Sequence, residues 1–291
     1  MKNNIIFKYS ILLFSLLLIN CSKDKDNTPA NGEITVVVDK SFQNVTEALA
    51  ERYMAFYPNS KINVNFAKED EAFNDLLNNK ARVIIMSREL TNNEKEFYTS
   101  KVDLPFEPAR FAGDAIVFVV SKNSSKNSIT LDEIKRELLS SNRKIIFDGA
   151  NTGNFSFVAQ KFNLKPQDIK FSVIKGNKQI INQIDKYPSN IGVIGFNTIS
   201  NPYSKEAAIL REKMKILSVI DNKGISYEPN IETIRNMKYP FTRILYFLTN
   251  EGNFGLGNGF IRFSCTQVGQ IVVSKEGLQP YNIFKREVQM R

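Results

Sequence analysis

The chain has 291 residues, two cysteines, no histidine and a formal net charge of +9. The absence of histidine excludes a Ser-His-Asp triad, a Cys-His catalytic pair and every metal site that needs a histidine ligand. The positive charge favours anionic partners, but the lysines are spread along the chain and no nucleic-acid-binding motif accompanies them. We therefore expect no catalytic residues, no metal or cofactor, and no nucleic-acid partner.

The N-terminal segment has the layout of a signal peptide. Lys2 and Lys8 precede an apolar run over residues 11–19, which is too short to span a bilayer as a stable helix. No later apolar run approaches the roughly 18 residues that a membrane-spanning helix needs. The sequence therefore predicts a signal peptide over residues 1–20 and no transmembrane helix after it.

The segment Leu-Leu-Ile-Asn-Cys that ends at Cys21 resembles the lipobox of bacterial lipoproteins, although Asn20 is an unusual residue before the cysteine. The resemblance implies cleavage before Cys21, acylation of this residue with chains such as palmitate, and an anchor on the periplasmic or cell-surface side of a bacterial membrane. A plain secretory signal and an N-terminal membrane anchor are the alternatives. Residues 21–32, rich in charged and small polar side chains, are predicted to form a flexible, lipidated tether.

Apolar, β-branched runs alternate with amphipathic helical patterns along the rest of the chain, which predicts an α/β fold with mostly parallel sheets. The predicted strands are 33–38, 61–66, 82–86, 114–120, 145–147, 171–174, 191–196, 216–220 and 243–248. The predicted helices are 45–57, 69–78, one that starts at Thr91 with a capping box to Glu94, 130–139, one after residue 154, 178–185 and 256–273.

The segment 145–158 combines a short buried strand, a loop of small polar residues and a helix start. Free main-chain N–H groups at a helix start, together with the helix dipole, form a site for an anion. Gly149 and Gly153 permit a positive φ and close approach of the backbone. The candidate ligand-binding residues of this loop are Asn151, Thr152, Gly153 and Asn154. An ordinary strand-to-helix turn with a capped helix is the alternative interpretation.

Polar residues also follow two other predicted strands. Ser41 and Phe42 come after the first strand, and Ser87 and Arg88 come after the third. In open α/β sheets, ligands bind at the carboxyl ends of strands. We therefore expect these residues to converge with the loop of residues 151–154 on one small oxyanion.

In their order and spacing, these segments resemble the periplasmic phosphate-binding proteins of ABC transporters, in the lineage of short lipoproteins. The resemblance runs from residue 33 to the end of the chain, and its segments are Ser41-Phe42, Ile85–Arg88, Phe147–Asn154, Ile191–Phe196, Lys238–Tyr246 and Gly277–Pro280. It implies a type II periplasmic-binding fold, in which two α/β lobes joined by crossover hinge strands close on a dehydrated oxyanion. The implied lobes are 33–116 with 197–291, and 117–196, and the implied hinge strands are 114–120 and 191–196.

Two positions depart from the pattern of that family. Arg88 stands where the family usually has an aspartate that accepts a proton from the anion, and Asp148 stands where it has an arginine. One hypothesis is that Arg88 contacts the anion or Asp148, while Glu71 accepts the proton. The alternative is a surface ion pair between Arg88 and Asp148, worth less than about 1 kcal/mol. Arg243 could lie near the cleft, but a bend that enters a core strand is the favoured interpretation.

The resemblance implies a monomeric, membrane-tethered solute-binding protein that captures phosphate or a similar tetrahedral oxyanion for an ABC permease. A binding or sensing module with the same fold but without transport is the alternative, favoured only by the exchanged charges at Arg88 and Asp148. A phosphatase is less favoured, because the chain lacks histidine and clustered carboxylates that could hold paired metals.

Overall fold

The computed structural model describes residues 27–284. The predicted signal peptide (1–20) and Cys21 lie outside these residues. Across residues 27–284, no helix combines the length and apolar character that a membrane span requires.

Strands and helices alternate along the described residues, as the sequence patterns predicted. The strands are β1 Asn31–Val38, β2 Asn59–Phe66, β3 Val83–Met86, β4 Ala109–Ser121, β5 Ser128–Thr130, β6 Ile145–Phe147, β7 Ser172–Val173, β8 Ile191–Gly195, β9 Met214–Ile216, β10 Ser218–Ile220, β11 Ser226–Tyr227, β12 Thr242–Thr249 and β13 Gln279–Pro280. The α-helices are α1 Gln43–Phe56, α2 Glu69–Leu77, α3 Asn92–Val102, α4 Leu131–Leu139, α5 Gly153–Lys161, α6 Asn177–Gln183, α7 Asn197–Ser200, α8 Lys205–Lys213, α9 Ile231–Arg235, α10 Leu256–Cys265 and α11 Gln267–Lys275. Short 3-10 turns cover Lys40–Phe42, Pro166–Asp168 and Ile184–Lys186.

The long strand β4 belongs to two parts of one sheet, whose strand order is β2-β1-β3-β12-β4-β8-β6-β7. Up to Ala115, β4 pairs antiparallel with β12, and from Ile116 onward it pairs antiparallel with β8. The outer strands pair in parallel, β1 with β2 and β3 on one side, and β6 with β7 and β8 on the other. We call β2, β1, β3, β12 and β4 up to Ala115 the first sheet half, and β4 from Ile116 with β8, β6 and β7 the second sheet half.

Each sheet half is covered by helices on both faces. In β1, Val36 and Val38 belong to a core cluster with Leu49 of α1 and Phe260 of α10. Val37, which points to the opposite face, belongs to a cluster with residues of α2 such as Leu76. This burial on both faces is the reason why the strand is a continuous apolar run rather than an alternating one.

The described part of the predicted tether, residues 27–32, is packed against the folded chain. The side chain of Asn27 donates a hydrogen bond of 3.0 Å to Glu251, and the hydroxyl of Tyr53 donates to the carbonyl of Pro29. Asn31 is already the first residue of β1. The prediction of a flexible segment is therefore wrong for residues 27–32, while residues 21–26 lie outside the described range.

The second predicted lobe boundary, at residue 197, is also wrong, because the chain after α8 stays with the second sheet half. Strand β9 pairs with β4 at residues 119–121, and β10 pairs with β5 in a small three-stranded sheet. Leu217 and Phe241 belong to the core cluster that contains Ile116 and Phe118 of β4. The chain returns to the first sheet half only with β12.

The predicted helix 256–273 is two helices, because Thr266 is extended, with φ −76° and ψ 169°. A Cβ atom at Gly269 would lie 2.5 Å from the carbonyl oxygens of Phe263 and Ser264. The sharp turn between α10 and α11 therefore needs glycine at this position. The predicted strand 216–220 is likewise two strands, β9 and β10, with Leu217 between them.

Candidate anion-binding cleft

Three chain segments that the sequence predicted to converge do meet at one place, between the two sheet halves. The 3-10 turn after β1 carries Ser41, the loop after β3 carries Ser87, and α5 begins at Gly153. A Cβ atom at Gly153 would lie 2.7 Å from the Ser87 Oγ atom, so the first turn of α5 packs directly on Ser87. The Asn177 side-chain amide lies 3.4 Å from the Ser41 Oγ atom. The hydroxyls of Ser41 and Ser87 and the N terminus of α5 thus meet at one site between the two sheet halves, which we call the cleft.

The first turn of α5 is shaped by its capping residue. Thr152 Oγ accepts a hydrogen bond of 3.4 Å from the main-chain N–H of Phe155, as an N-cap residue does. Its hydroxyl donates to Asp148 at 2.8 Å. Gly149 and Asn151 have positive φ values of 151° and 60°, which the tight loop requires. The side chain of Asn151 is exposed, so its predicted role as a ligand-binding residue stays a prediction.

A network of asparagine side chains bridges the cleft. Asn154 donates to Asn177 at 2.9 Å, and Asn177 donates to Ser41 Oγ at 3.4 Å and to Thr198 Oγ at 3.1 Å. The side chain of Asn197 donates to the main-chain carbonyl of Ser41. Asn177 and Asn197 were missed by the sequence analysis, although Asn197 follows the end of strand β8, where the strand-end rule could have found it.

Arg243 is the cation of this cleft. It is 1% exposed, and it donates to Asp114 Oδ2 from Nε at 3.0 Å and from Nη2 at 2.7 Å. Its Nη1 donates to Ser87 Oγ at 3.2 Å, and its guanidinium carbon lies 4.8 Å from the centroid of the Phe42 ring. Arg243 does enter a core strand, as the favoured interpretation held, but its side chain faces the cleft. The signal in the sequence was an arginine in an apolar strand, which needs a buried partner.

Glu69 is the acidic residue that faces the same cleft from the start of α2. Its side chain is fully buried, and Oε1 accepts hydrogen bonds from the Ser87 main-chain N–H at 2.7 Å and from the Ser87 hydroxyl at 2.5 Å. Burial raises the pKa of Glu69 to about 7, although the hydrogen bond from the Ser87 side chain lowers it. The nearby carboxylate of Asp39 raises this pKa further, while Arg243 and Arg88 lower it. Within residues 27–284, Oε2 of Glu69 has no hydrogen-bond partner.

The sequence analysis proposed Glu71 as the acceptor of the anion's proton. In the structure Glu69, not Glu71, faces the cleft. Glu71 is exposed, whereas Glu69 is buried beside Ser87. Both residues belong to the first turn of α2, but residues two apart on a helix project in nearly opposite directions. Only one of them can face the cleft.

Arg88 is buried, with 6% of its surface exposed, but its guanidinium group pairs with acidic residues outside the cleft. Nη2 pairs with Asp70 at 2.8 Å, and the two terminal nitrogens pair with the Glu94 carboxylate at 2.7 and 3.0 Å. The same carboxylate closes the predicted capping box with Thr91, which is confirmed. The predicted ion pair between Arg88 and Asp148 is therefore wrong. Because the terminal nitrogens of Arg88 already pair with Asp70 and Glu94, we do not expect Arg88 to contact the anion.

Asp148 is partly buried in the loop before α5, and among residues 27–284 no arginine forms an ion pair with it. Its Oδ1 accepts the hydrogen bond from Thr152. Burial raises the pKa of Asp148 to about 6, and the carboxylate of Asp39 acts in the same direction. The hydrogen bond from Thr152 and the charge of Arg243 lower it.

The described residues hold no group of three or more acidic, cysteine or histidine side chains that could bind a metal ion. The free thiol of Cys265 is partly buried, and its burial raises the pKa to about 11. A thiol with so high a pKa is a poor nucleophile at neutral pH. The chemistry that the cleft offers is therefore hydrogen bonding and charge, supplied by hydroxyls, amides, carboxylates and one guanidinium group.

Comparisons with known proteins show which family the sequence of this chain matches. The sequence model of the PBP superfamily domain matches residues 25–267. The phosphate-binding protein PstS of Borreliella burgdorferi is 25% identical over 93% of this chain and 97% of that protein. The phosphate-binding protein PstS of Staphylococcus haemolyticus is 22% identical over 78% of this chain and 74% of that protein.

Solved structures show the same fold. A putative phosphate ABC transporter substrate-binding protein with bound phosphate from Clostridium perfringens has a TM-score of 0.69 and 19% identity, over 86% of this chain and 100% of that one. An ABC-type phosphate transport receptor from Vibrio cholerae has a TM-score of 0.64 and 16% identity, over 86% of this chain and 100% of that one. The predicted α/β fold of the periplasmic-binding type is thus confirmed, and the named relatives are binding proteins rather than enzymes.

Proposed function

This chain belongs to the PBP superfamily, and we propose that it is an extracytoplasmic solute-binding protein that captures phosphate or a similar tetrahedral oxyanion for uptake by an ABC transporter. The observation that carries the proposal is the meeting of Ser41, Ser87 and the start of α5 around the buried Arg243. Hydroxyls, main-chain N–H groups and a guanidinium group are the donors that a dehydrated oxyanion needs. The names of the relatives agree with this chemistry.

In the proposed complex, the donors come from both sheet halves. From the first half, the anion is bound by the hydroxyl of Ser41 and by that of Ser87, whose single hydrogen turns from Glu69 Oε1 to the anion while the Ser87 main-chain N–H keeps its bond to Glu69. The N–H groups at Gly153 and Asn154 bind from the second half, where Thr152 caps the helix. Arg243 supplies the positive charge in place of Arg88. Because these groups are buried, each hydrogen bond to the anion is stronger than it would be in water.

Glu69 is the group that would recognise a protonated anion. Its Oε1 is held by Ser87, which leaves Oε2 to accept a hydrogen bond from an O–H group of the ligand. Phosphate carries such a proton near neutral pH, whereas sulfate does not. A buried carboxylate without a donor repels the unprotonated anion, so we expect phosphate and arsenate to bind better than sulfate.

Three finer features complete the proposal. Cys21 is acylated and anchors the chain to the membrane by a tether of residues 21–26. The two sheet halves move as lobes about β4, whose partner changes between Ala115 and Ile116. The protein acts as a monomer and delivers the anion to an ABC permease.

Calorimetry of the purified protein with phosphate, arsenate and sulfate tests the proposal. We expect one site for phosphate and arsenate, and an affinity for sulfate lower by about 100-fold, the effect of about 3 kcal/mol from one unpaired buried acceptor. Ser87→Ala should weaken phosphate binding, while Ser100→Ala, at an exposed site of α3, should leave it unchanged. Absence of binding for all three anions would reject the proposal.

A further inference from the structure

We propose that Gln160 is a positioning residue that controls release of the anion, because its hydrogen bond to the main-chain carbonyl of Glu89 holds the two sheet halves closed over the cleft. This inference rests on the proposed function and extends it. It concerns a group outside the cleft that determines how long the anion stays bound.

The contact between Gln160 and Glu89 joins the two sheet halves directly. Gln160 belongs to α5, which packs on the second half through residues such as Val158, and Glu89 belongs to the loop after β3 of the first half. The side-chain amide of Gln160 donates to the Glu89 carbonyl oxygen at 2.8 Å. Both residues are exposed, so this contact lies at the solvent-facing rim of the interface between the halves.

One face of α5 carries both its anion-binding end and this contact. Two turns of an α-helix take about seven residues, so Gly153 and Gln160 lie on the same face. Gly153 packs on Ser87, and Gln160 reaches Glu89, two residues further along the same loop. Seven residues advance about 10 Å along the helix axis, so Gln160 starts two turns away from the main-chain N–H groups that receive the anion. Gln160 therefore acts on the anion only through the packing of the two halves.

The acceptor of this hydrogen bond is held firmly in its loop. The Glu89 carbonyl also accepts a hydrogen bond of 3.2 Å from Nη1 of Arg88, so both of its lone pairs are used. The hydroxyl of Tyr246 donates to the carbonyl of Arg88 at 2.7 Å, and the side chain of Leu90 is buried. Because a fixed acceptor loses little conformational entropy when α5 meets it, more of the hydrogen-bond free energy goes into holding the halves together.

The other contacts between the halves give the Gln160 contact its distinct role. The salt bridges of residues 27–284 each join two residues of the same half. Asn177 and Asn197 do bridge the halves, but both donate to Ser41 inside the cleft, where a bound anion competes for the Ser41 hydroxyl. The Gln160 contact lies outside the cleft, so it persists when the anion is bound.

The contact acts on the rate of release. An oxyanion enters the cleft while the halves are apart, and it leaves only after they separate again. Gln160 and Glu89 are hydrogen-bonded only in the closed arrangement, so loss of this bond favours separation without changing entry. One hydrogen bond between uncharged groups shifts such an equilibrium by about two- to tenfold. The dissociation rate constant koff should change by that factor, while the association rate constant kon stays the same.

Release of radiolabelled phosphate, chased with an excess of unlabelled phosphate, measures koff, and calorimetry then gives kon from the Kd. Gln160→Met keeps the length of the side chain but removes its donor, so koff should rise by about two- to tenfold with kon unchanged. Gln160→Glu places an oxygen opposite the carbonyl oxygen of Glu89, so koff should rise at least as much. Gln179→Met, at an exposed glutamine of α6 in the same half, is the matched control and should change neither rate constant.

The outcomes separate this inference from the proposed function. Because Gln160 is exposed, its variants should fold like the wild type, and urea unfolding checks this. A rise in koff of less than about twofold for Gln160→Met, or a fall in kon with koff unchanged, would overturn the inference and leave the proposed function standing. Failure of the wild-type protein to bind phosphate, arsenate and sulfate would overturn the proposed function and this inference with it.

Discussion

Two buried arginines flank the cleft, and only one of them faces it. Arg88 and Arg243 are 6% and 1% exposed, and both pair with carboxylates. The partners of Arg88 belong to the first turns of α2 and α3, where they fix the loop after β3. Arg243 instead donates to Ser87 Oγ inside the cleft. Burial and ion pairing therefore do not by themselves identify a binding residue; the direction of the side chain does.

The difference follows from what each side chain contacts. Ser87 lies against Glu69 Oε1 and Arg243. Arg88 Nε lies 4.0 Å from Glu69 Oε2, but the terminal nitrogens of Arg88 reach Asp70 and Glu94 instead. On α2, helical geometry separates Glu69 from Glu71, because residues two apart on a helix project in nearly opposite directions.

The largest effect that we predict is for Arg243→Met. The change leaves Asp114 charged and buried without its partner, which should lower the free energy of unfolding by about 3–5 kcal/mol. It also removes the cation of the cleft, so affinity for phosphate should fall by about 100-fold or more, equivalent to about 3 kcal/mol. Urea unfolding and calorimetry measure the two effects.

A compensated variant separates these two effects of Arg243. Asp114→Asn, added to Arg243→Met, removes the unpaired charge and keeps an oxygen for the hydrogen bond from the Asn197 N–H. Stability should recover in large part, while phosphate affinity should stay low. A double variant that binds phosphate like the wild type would show that Arg243 is not the cation that binds the anion.

An intermediate effect is expected for Arg88→Met. The loss of its contacts with Asp70 and Glu94 should lower the free energy of unfolding by about 3 kcal/mol, at the lower end of the range because both carboxylates are partly exposed to water. Phosphate affinity, measured where the variant is folded, should stay within about threefold of the wild type, or about 0.7 kcal/mol. Arg136→Met, at an exposed site of α4, is the control and should change neither quantity. A larger loss of affinity in folded Arg88→Met would contradict our inference that Arg88 only fixes the loop after β3 and does not bind the anion.

The smallest effect is a pH dependence of stability in the ligand-free protein. The pKa of Glu69 is raised from 4.5 to about 7 in the folded state, so its stabilising contribution is fully present below pH 4.5 and is lost as the pH rises through 7. Between pH 5 and pH 8 the wild-type protein should lose about 2 kcal/mol through this group. Glu69→Gln should remove that loss, whereas Glu71→Gln should not. Urea unfolding at both pH values checks this, and equal pH profiles for the two variants would contradict the burial of Glu69.

Much of the fold was predictable, because strand and helix patterns are local. The buried strands, the capping box at Thr91 and the glycine-containing loop before α5 each depend on a few neighbouring residues. The break between α10 and α11 was not predictable from periodicity, since the apolar pattern continues through Thr266 while the chain turns. The packing of residues 27–32 was also missed, because polar composition does not reveal that Asn27 has a partner at Glu251.

The sequence by itself determined the succession of strands along the chain. It also determined that Ser41, Ser87 and the loop before α5 follow the ends of strands. Only the tertiary structure decided which charged residues join them. Arg243 meets Asp114, 129 positions away, because the antiparallel register of β12 and β4 places these two residues opposite each other. Register and side-chain direction depend on the packing of the whole sheet, and no local pattern in the sequence contains that information.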